Sequence, residues 1–164
     1  MKSVQLIADT NVIAYLFSRS PLGQAYAQLI DNRDVGITGH TLSELRAGAV
    51  IGRWGERRRK DYTRFLEAYE HVPCCRGMAE VCGDLRGLRR QAGAEIEWAD
   101  AWAAACAMWL DLPLVTHDRD LEGIPGLQVI TAHDAWEVRE ATTGDAGTIG
   151  MWTGESTASC IHLQ

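Results

Sequence analysis

Short apolar runs, each too brief for a helix, recur along this chain with longer amphipathic stretches between them. That alternation restricts the fold more than any other feature. Val4–Ala8, Val35–Thr38, Leu114–Thr116 and Leu127–Ile130 are mostly aliphatic and lack the strict polar alternation of a half-exposed strand. Strands that are apolar on both faces belong to parallel sheets covered by helices. Between them, Val12, Ile13, Leu16 and Phe17 recur at helical spacing. Ser20-Pro21 offers a cap followed by proline at the first helical position, opening a helix to about Asp31. Thr41-Leu42-Ser43-Glu44 has the form of a capping box and predicts another helix start. Amphipathic spacing predicts helices from Glu56 to about Glu70 and over Met78–Gln91, the latter stopped by Gly93. His71-Val72-Pro73 reads as either a brief strand or a connector. The helix running to Leu110 is nearly all apolar after Asp100 and is expected to be buried on most sides.

The remaining features bound the class. A length of 164 residues, 46% of them apolar, suits one domain with a full core. Residues 1–140 are read as that domain, closing on a last helix over His133–Glu140. Residues 141–164, rich in Gly, Thr and Ser, are read as a tail with the composition of a disordered segment. The five cysteines fit neither a zinc spacing nor a disulfide framework and are expected to be reduced core thiols. No signal segment is visible. The longest charge-free apolar run, Ala101–Leu110, is far shorter than the roughly 18 residues of a membrane span. A cytoplasmic protein without membrane association is the expectation.

A net charge of −6 argues against a general nucleic-acid coat. Two local basic clusters run the other way: Arg53, Arg57, Arg58, Arg59, Lys60 and Arg64, then Arg86, Arg89 and Arg90. Each is either a solvated helix face or a rim that contacts phosphates.

Four acids interrupt the apolar segments where strands should end or helices begin. They are Asp9, Glu44, Asp100 and Asp118. In an open α/β sheet, ligands bind outside the carboxyl ends of the strands, and topology can bring all four to that edge. Each has an ordinary structural explanation as well. Asp9 can cap a helix, Glu44 can close the capping box, Asp100 can complement a helix dipole, and Asp118 can serve a turn. Together those explanations weaken, because clustered carboxylates repel one another and raise each other's pKa. A divalent cation reverses that balance. Oxygen ligands without paired His or Cys favour Mg²⁺ or Mn²⁺ over zinc.

With these residues in view the chain resembles a PIN-domain ribonuclease, most closely the VapC-like toxin of a toxin–antitoxin pair. The resemblance spans about residues 4–135. It rests on Ile7-Ala8-Asp9-Thr10-Asn11, on Thr41-Leu42-Ser43-Glu44-Leu45 with Gly48, on Ala99-Asp100-Ala101, and on Leu114-Val115-Thr116-His117-Asp118 with Ile124-Pro125-Gly126-Leu127. It implies an α/β PIN-like three-layer domain, a central parallel sheet flanked by helices, with Mg²⁺- or Mn²⁺-dependent cleavage of RNA. Asp9, Glu44, Asp100 and Asp118 would be the catalytic acids, with Asp9, Asp100 and Asp118 as metal ligands. Thr116 would orient a ligand or water, and Asn11 would brace Asp9. The partners implied are an RNA substrate, a small antitoxin protein and a second copy of the chain as a homodimer. Tyr15, Leu16, Phe17 and Tyr26 either line an antitoxin groove or pack the core.

The chain departs from the family pattern at Leu121, where an aromatic is common. The short Asp118–Leu121 segment leaves the role of Asp118 open to Asp120. Two other readings compete. One is a non-catalytic PIN-like RNA-binding or scaffold module, disfavoured because all four acids are present. The other is a phosphotransferase using Asp9 as nucleophile, disfavoured because Asn11 stands where a second acid is usual.

Overall fold

The computed structural model describes residues 3–133. Within them the order is β1 Leu6–Ala8, α1 Thr10–Ser18, α2 Pro21–Leu29, β2 Val35–Thr38, α3 Gly39–Ile51, α4 Glu56–Leu66, β3 Glu70–Val72, α5 Arg76–Gln91, α6 Trp98–Leu110, β4 Leu114–Val115, a 3₁₀ turn Arg119–Leu121 and β5 Val129–Ile130. The five strands form one sheet in the order β3-β2-β1-β4-β5, and every pairing is parallel. The predicted α/β architecture is therefore what the chain adopts. The expected last helix beyond His133 and the expected tail lie outside the described residues.

Side chains on a strand alternate between faces, and β1 shows how this builds two cores. Leu6 and Ala8 join Val12, Ile13, Tyr26, Ile37 and Tyr62 on the side covered by α1 to α4. Ile7 points the other way, into a cluster with Met78, Cys82 and Leu85 of α5 and the alanines of α6. Ala101, Ala103, Ala104, Ala105 and Ala107 are all fully buried. Their small side chains let α6 lie close over the sheet, and that closeness brings Asp100 to the strand ends.

Local signals explain most boundaries. Ser20 Oγ accepts from the Gly23 N–H at 3.1 Å and Pro21 occupies the first turn of α2. The cap of α3 differs from expectation. Thr38, not Thr41, is the N-cap, its Oγ1 accepting the Thr41 N–H at 3.0 Å. The Thr41–Glu44 box is thus not formed, and Glu44 is released for a contact elsewhere. Edge strand β3 is real but short, with only Val72 buried. Cys82 and Cys106 are buried thiols as expected, whereas Cys74 and Cys75 are exposed, so they are not core residues. Among the described residues no helix is long and apolar enough to cross a membrane.

Candidate active site

Strand order runs outward from β1 in both directions, so the switch point lies between β1 and β4. Asp9 follows β1 directly and Thr116 follows β4 directly, which places both at that crevice. Asp9 is the N-cap of α1 and only 1% exposed. Its Oδ1 accepts the Thr10 N–H at 2.6 Å, and its Oδ2 accepts the Thr116 hydroxyl at 3.0 Å. The same Thr116 oxygen accepts the Asp118 N–H at 3.0 Å. One buried hydroxyl therefore ties the first acid to the backbone of the last.

Glu44 reaches the site from α3, its Oε2 accepting the Thr10 hydroxyl at 2.6 Å. Asp118 caps the 3₁₀ turn, its Oδ1 accepting the Asp120 N–H at 2.8 Å. Asp100 lies in the first turn of α6.

Electrostatics shows that the four acids share one region. Burial pushes Asp9 up from 3.8 to about 6, against the lowering effect of the Thr10 and Thr116 hydrogen bonds, with Glu44 and Asp118 adding repulsion. Asp100 is pushed up to about 7, chiefly by burial and then by Asp9, Asp118, Glu44 and Glu97. Asp120 is exposed, and Asp118 is the acid of this segment whose charge raises both Asp9 and Asp100. Asn11 is different. It is exposed on α1, and Asp9 takes its hydrogen bonds from Thr10 and Thr116 instead. Thr10 is the residue the sequence reading missed.

A third layer fixes the Thr116–Asp118 segment from behind. Tyr26 is fully buried in α2, so it does not line a surface groove. Its hydroxyl lies 2.9 Å from the Thr116 carbonyl and 2.8 Å from His117 Nδ1. A carbonyl can only accept, so the phenol proton goes to Thr116 and His117 Nδ1–H donates to the phenol oxygen. Burial lowers the His117 pKa, with His133 and Arg119 adding to the effect, which suits that neutral tautomer. His133 Nε2 meets the His117 carbonyl at 2.9 Å and its Nδ1 meets Glu122 Oε1 at 3.0 Å. Phe17 is likewise packed, with Trp54, Tyr62 and Phe65 around its ring.

Whether these residues suit a cation can be judged from their donors. All are carboxylate oxygens, and at Asp9 and Asp100 burial and the neighbouring charge disfavour the ionised form, which is the chemistry a hard divalent ion relieves. Among the described residues, no three His, Cys, Asp or Glu side chains stand close enough together to enclose an ion as they are set.

The PIN domain profile matches residues 6–127. Among solved structures, VapBC2 from Rickettsia felis bound to a DNA fragment from its promoter aligns with a TM-score of 0.69 at 23% identity, covering 78% of this chain and 98% of that one. DNA-bound VapBC from Salmonella typhimurium gives 0.69 at 24%, covering 79% and 98%. VapBC-5 from Mycobacterium tuberculosis, a member of the VapBC family of toxin–antitoxin systems, gives 0.60 at 29%, covering 79% and 99%. The first two likenesses speak to fold alone. No curated protein matches the chain.

Proposed function

The chain belongs to the PIN-domain family, and from that premise we propose that it is a divalent-cation-dependent endoribonuclease acting as the toxin of a toxin–antitoxin pair. The observation that carries the reading is the pair Asp9 and Asp100 at the β1/β4 switch point, both pushed up by burial and by the negative charge of the acids around them. Asp9, Asp100 and Asp118 would hold Mg²⁺ or Mn²⁺, and Glu44 completes the acidic set. Such an ion, when bound, supplies Lewis acidity that lowers the pKa of a water and offsets charge on a scissile phosphate.

The chain's own contribution is orientation. The Thr10 N–H and the Thr116 hydroxyl hold the Asp9 carboxylate in one plane, leaving further lone pairs on each oxygen. Thr10 fixes Glu44 in the same way. The Tyr26, His117 and His133 bonds keep the Asp118 segment from moving away. RNA would meet net repulsion from the acids, and the exposed arginines of α4 offer the compensating charge. Arg46, Arg59, Lys60 and Arg64 line a cavity of about 380 Å³ between α3 and α4. A small antitoxin is the proposed partner because VapBC-5, the neighbour at 29% identity, is a member of the VapBC family of toxin–antitoxin systems.

The experiment is cleavage of RNA by the purified protein with Mn²⁺, with excess EDTA, and with Asp9→Asn or Asp100→Asn. Cleavage should require the ion and both acids while the circular dichroism of the variants stays native. Undiminished cutting in EDTA would remove the metal mechanism. Native Mn²⁺ binding without any cleavage would favour the RNA-binding scaffold.

A further inference from the structure

A cavity of about 390 Å³ opens at the C-terminal ends of β2 and β3, beside the carboxylates but not among them. Its walls include His40 of α3, His71 of β3, Met78 of α5, and Trp102 and Cys106 of α6. The volume falls in the range of small-ligand pockets, and the place is where α/β sheets bind ligands. Trp102 is partly buried, packed against the α5/α6 core while also lining this space. His71 is exposed and His40 partly buried, and with no protein group bonded to them among the described residues their ring nitrogens face solvent. Gly39 keeps the slot open, because a Cβ there would stand 3.3 Å from His71 Nε2.

The occupant can be argued from that lining. An alkyl chain would match the apolar walls but would strip water from the imidazole nitrogens without replacing its hydrogen bonds. A soft cation would need at least three ligands together, and none are so set among the described residues. A flat heteroaromatic ring meets both demands, stacking on the indole and pairing its edge with imidazoles. Position narrows the choice further. His40 lies four residues before Glu44, on the same face of α3 and about 6 Å along its axis. Trp102 follows Asp100 by two residues on α6 and so leaves the helix on a different face, and the link from cavity to acids runs through His40 and Glu44 of α3.

We infer that this cavity is a base subsite. It receives one unpaired base of a single-stranded RNA, stacked on Trp102 and read at its edge by His40 and His71, while the adjoining phosphodiester lies at the acids. The inference rests on the nuclease reading and adds to it a residue-level source of substrate preference.

The test is equilibrium binding by fluorescence anisotropy in EDTA, using a labelled RNA dodecamer and a ribose–phosphate oligomer of equal length without bases. Wild type should bind the base-bearing oligomer more tightly by roughly 5- to 150-fold. His40→Ala/His71→Ala should bring that ratio below about threefold, with the affinity for the abasic oligomer and the Tm unchanged. Trp102→Leu should do the same, and it should also abolish quenching of 2-aminopurine placed in the strand. Equal binding of the two oligomers by wild type, with metal-dependent cleavage intact, would overturn the subsite alone. A base preference that survives both variants would do likewise. Binding of neither oligomer, together with no cleavage, would overturn the nuclease reading and the subsite with it.

Discussion

Replacing Asp9 by Asn should stabilise the ion-free protein, although it removes the most buried acid of the site. The folded pKa of Asp9, about 6, lies above its ordinary 3.8. A group raised on folding contributes stability that is complete below its unfolded pKa and lost as pH rises through the folded one. At about pH 7.5 the loss amounts to about 3 kcal/mol, and about 1.4 kcal/mol of it develops between pH 5 and 7.5. Asn retains the shape and the Thr10 contact through its Oδ1, while its Nδ2 can meet Thr116 Oγ1 only as a donor, which takes the acceptor from the Thr116 hydroxyl proton and offsets part of the gain. The variant should therefore exceed the parent by about 1–3 kcal/mol at pH 7.5, or roughly 3–10 °C in Tm for a domain of this size. That advantage should shrink by about 1.4 kcal/mol at pH 5. The assay is urea denaturation followed by circular dichroism in EDTA at both pH values. Saturating Mn²⁺ should reverse the order, raising the parent and leaving the variant nearly unchanged. A variant less stable than the parent at both pH values, with the same pH slope, would refute the claim that burial strains this carboxylate.

Cation uptake should release protons, since ligands must be ionised to bind. With Asp100 near 7 and Asp9 near 6, about one proton per ion should leave at pH 6.5 and almost none at pH 8.5; calorimetry in buffers of different ionisation enthalpy measures this. Thr116→Val should cost about 2–3 kcal/mol and abolish cleavage, because it strands the Asp118 N–H and removes a donor from Asp9. Thr116→Ser should restore both, as read by urea midpoint and RNA cleavage. Gly23→Ala should destabilise by about 1–3 kcal/mol despite better helix propensity, because the new Cβ overlaps the Tyr15 carbonyl where α1 meets α2; a thermal melt checks it.

The parts legible in the sequence are those decided locally. Ser20-Pro21 starts α2 because a hydroxyl and a fixed φ act within one turn. The core strands show as apolar runs because both faces are buried. β3 stayed ambiguous because an edge strand buries little, and in Glu70–Val72 only one side chain is buried. The Thr41–Glu44 box misled because Thr38 stands three residues earlier and caps equally well, while the true partner of Glu44 is Thr10, 34 residues away. One missed signal was present. Thr10 lies three residues before Ile13 on the buried side of α1, whereas Asn11 lies three before exposed Ala14. Helical spacing alone thus favoured Thr10 as the inward neighbour of Asp9.

The structural and functional explanations of Asp9 are not rivals. An N-cap carboxylate must sit just outside a helix with its oxygens turned toward the first N–H groups. At a strand end on the switch point, that same position faces the crevice where ligands bind. Capping gives Asp9 the Thr10 N–H and a favourable helix dipole, both of which stabilise its charge. Burial nevertheless wins, since the pKa moves up and not down. A residue needed only as a cap could be Ser or Thr, which would satisfy the same N–H without a charge to desolvate. Asp at a site 1% exposed, with Glu44 and Asp118 acting against its charge, is thus costlier than a cap requires, and that excess is what the proposed cation would offset.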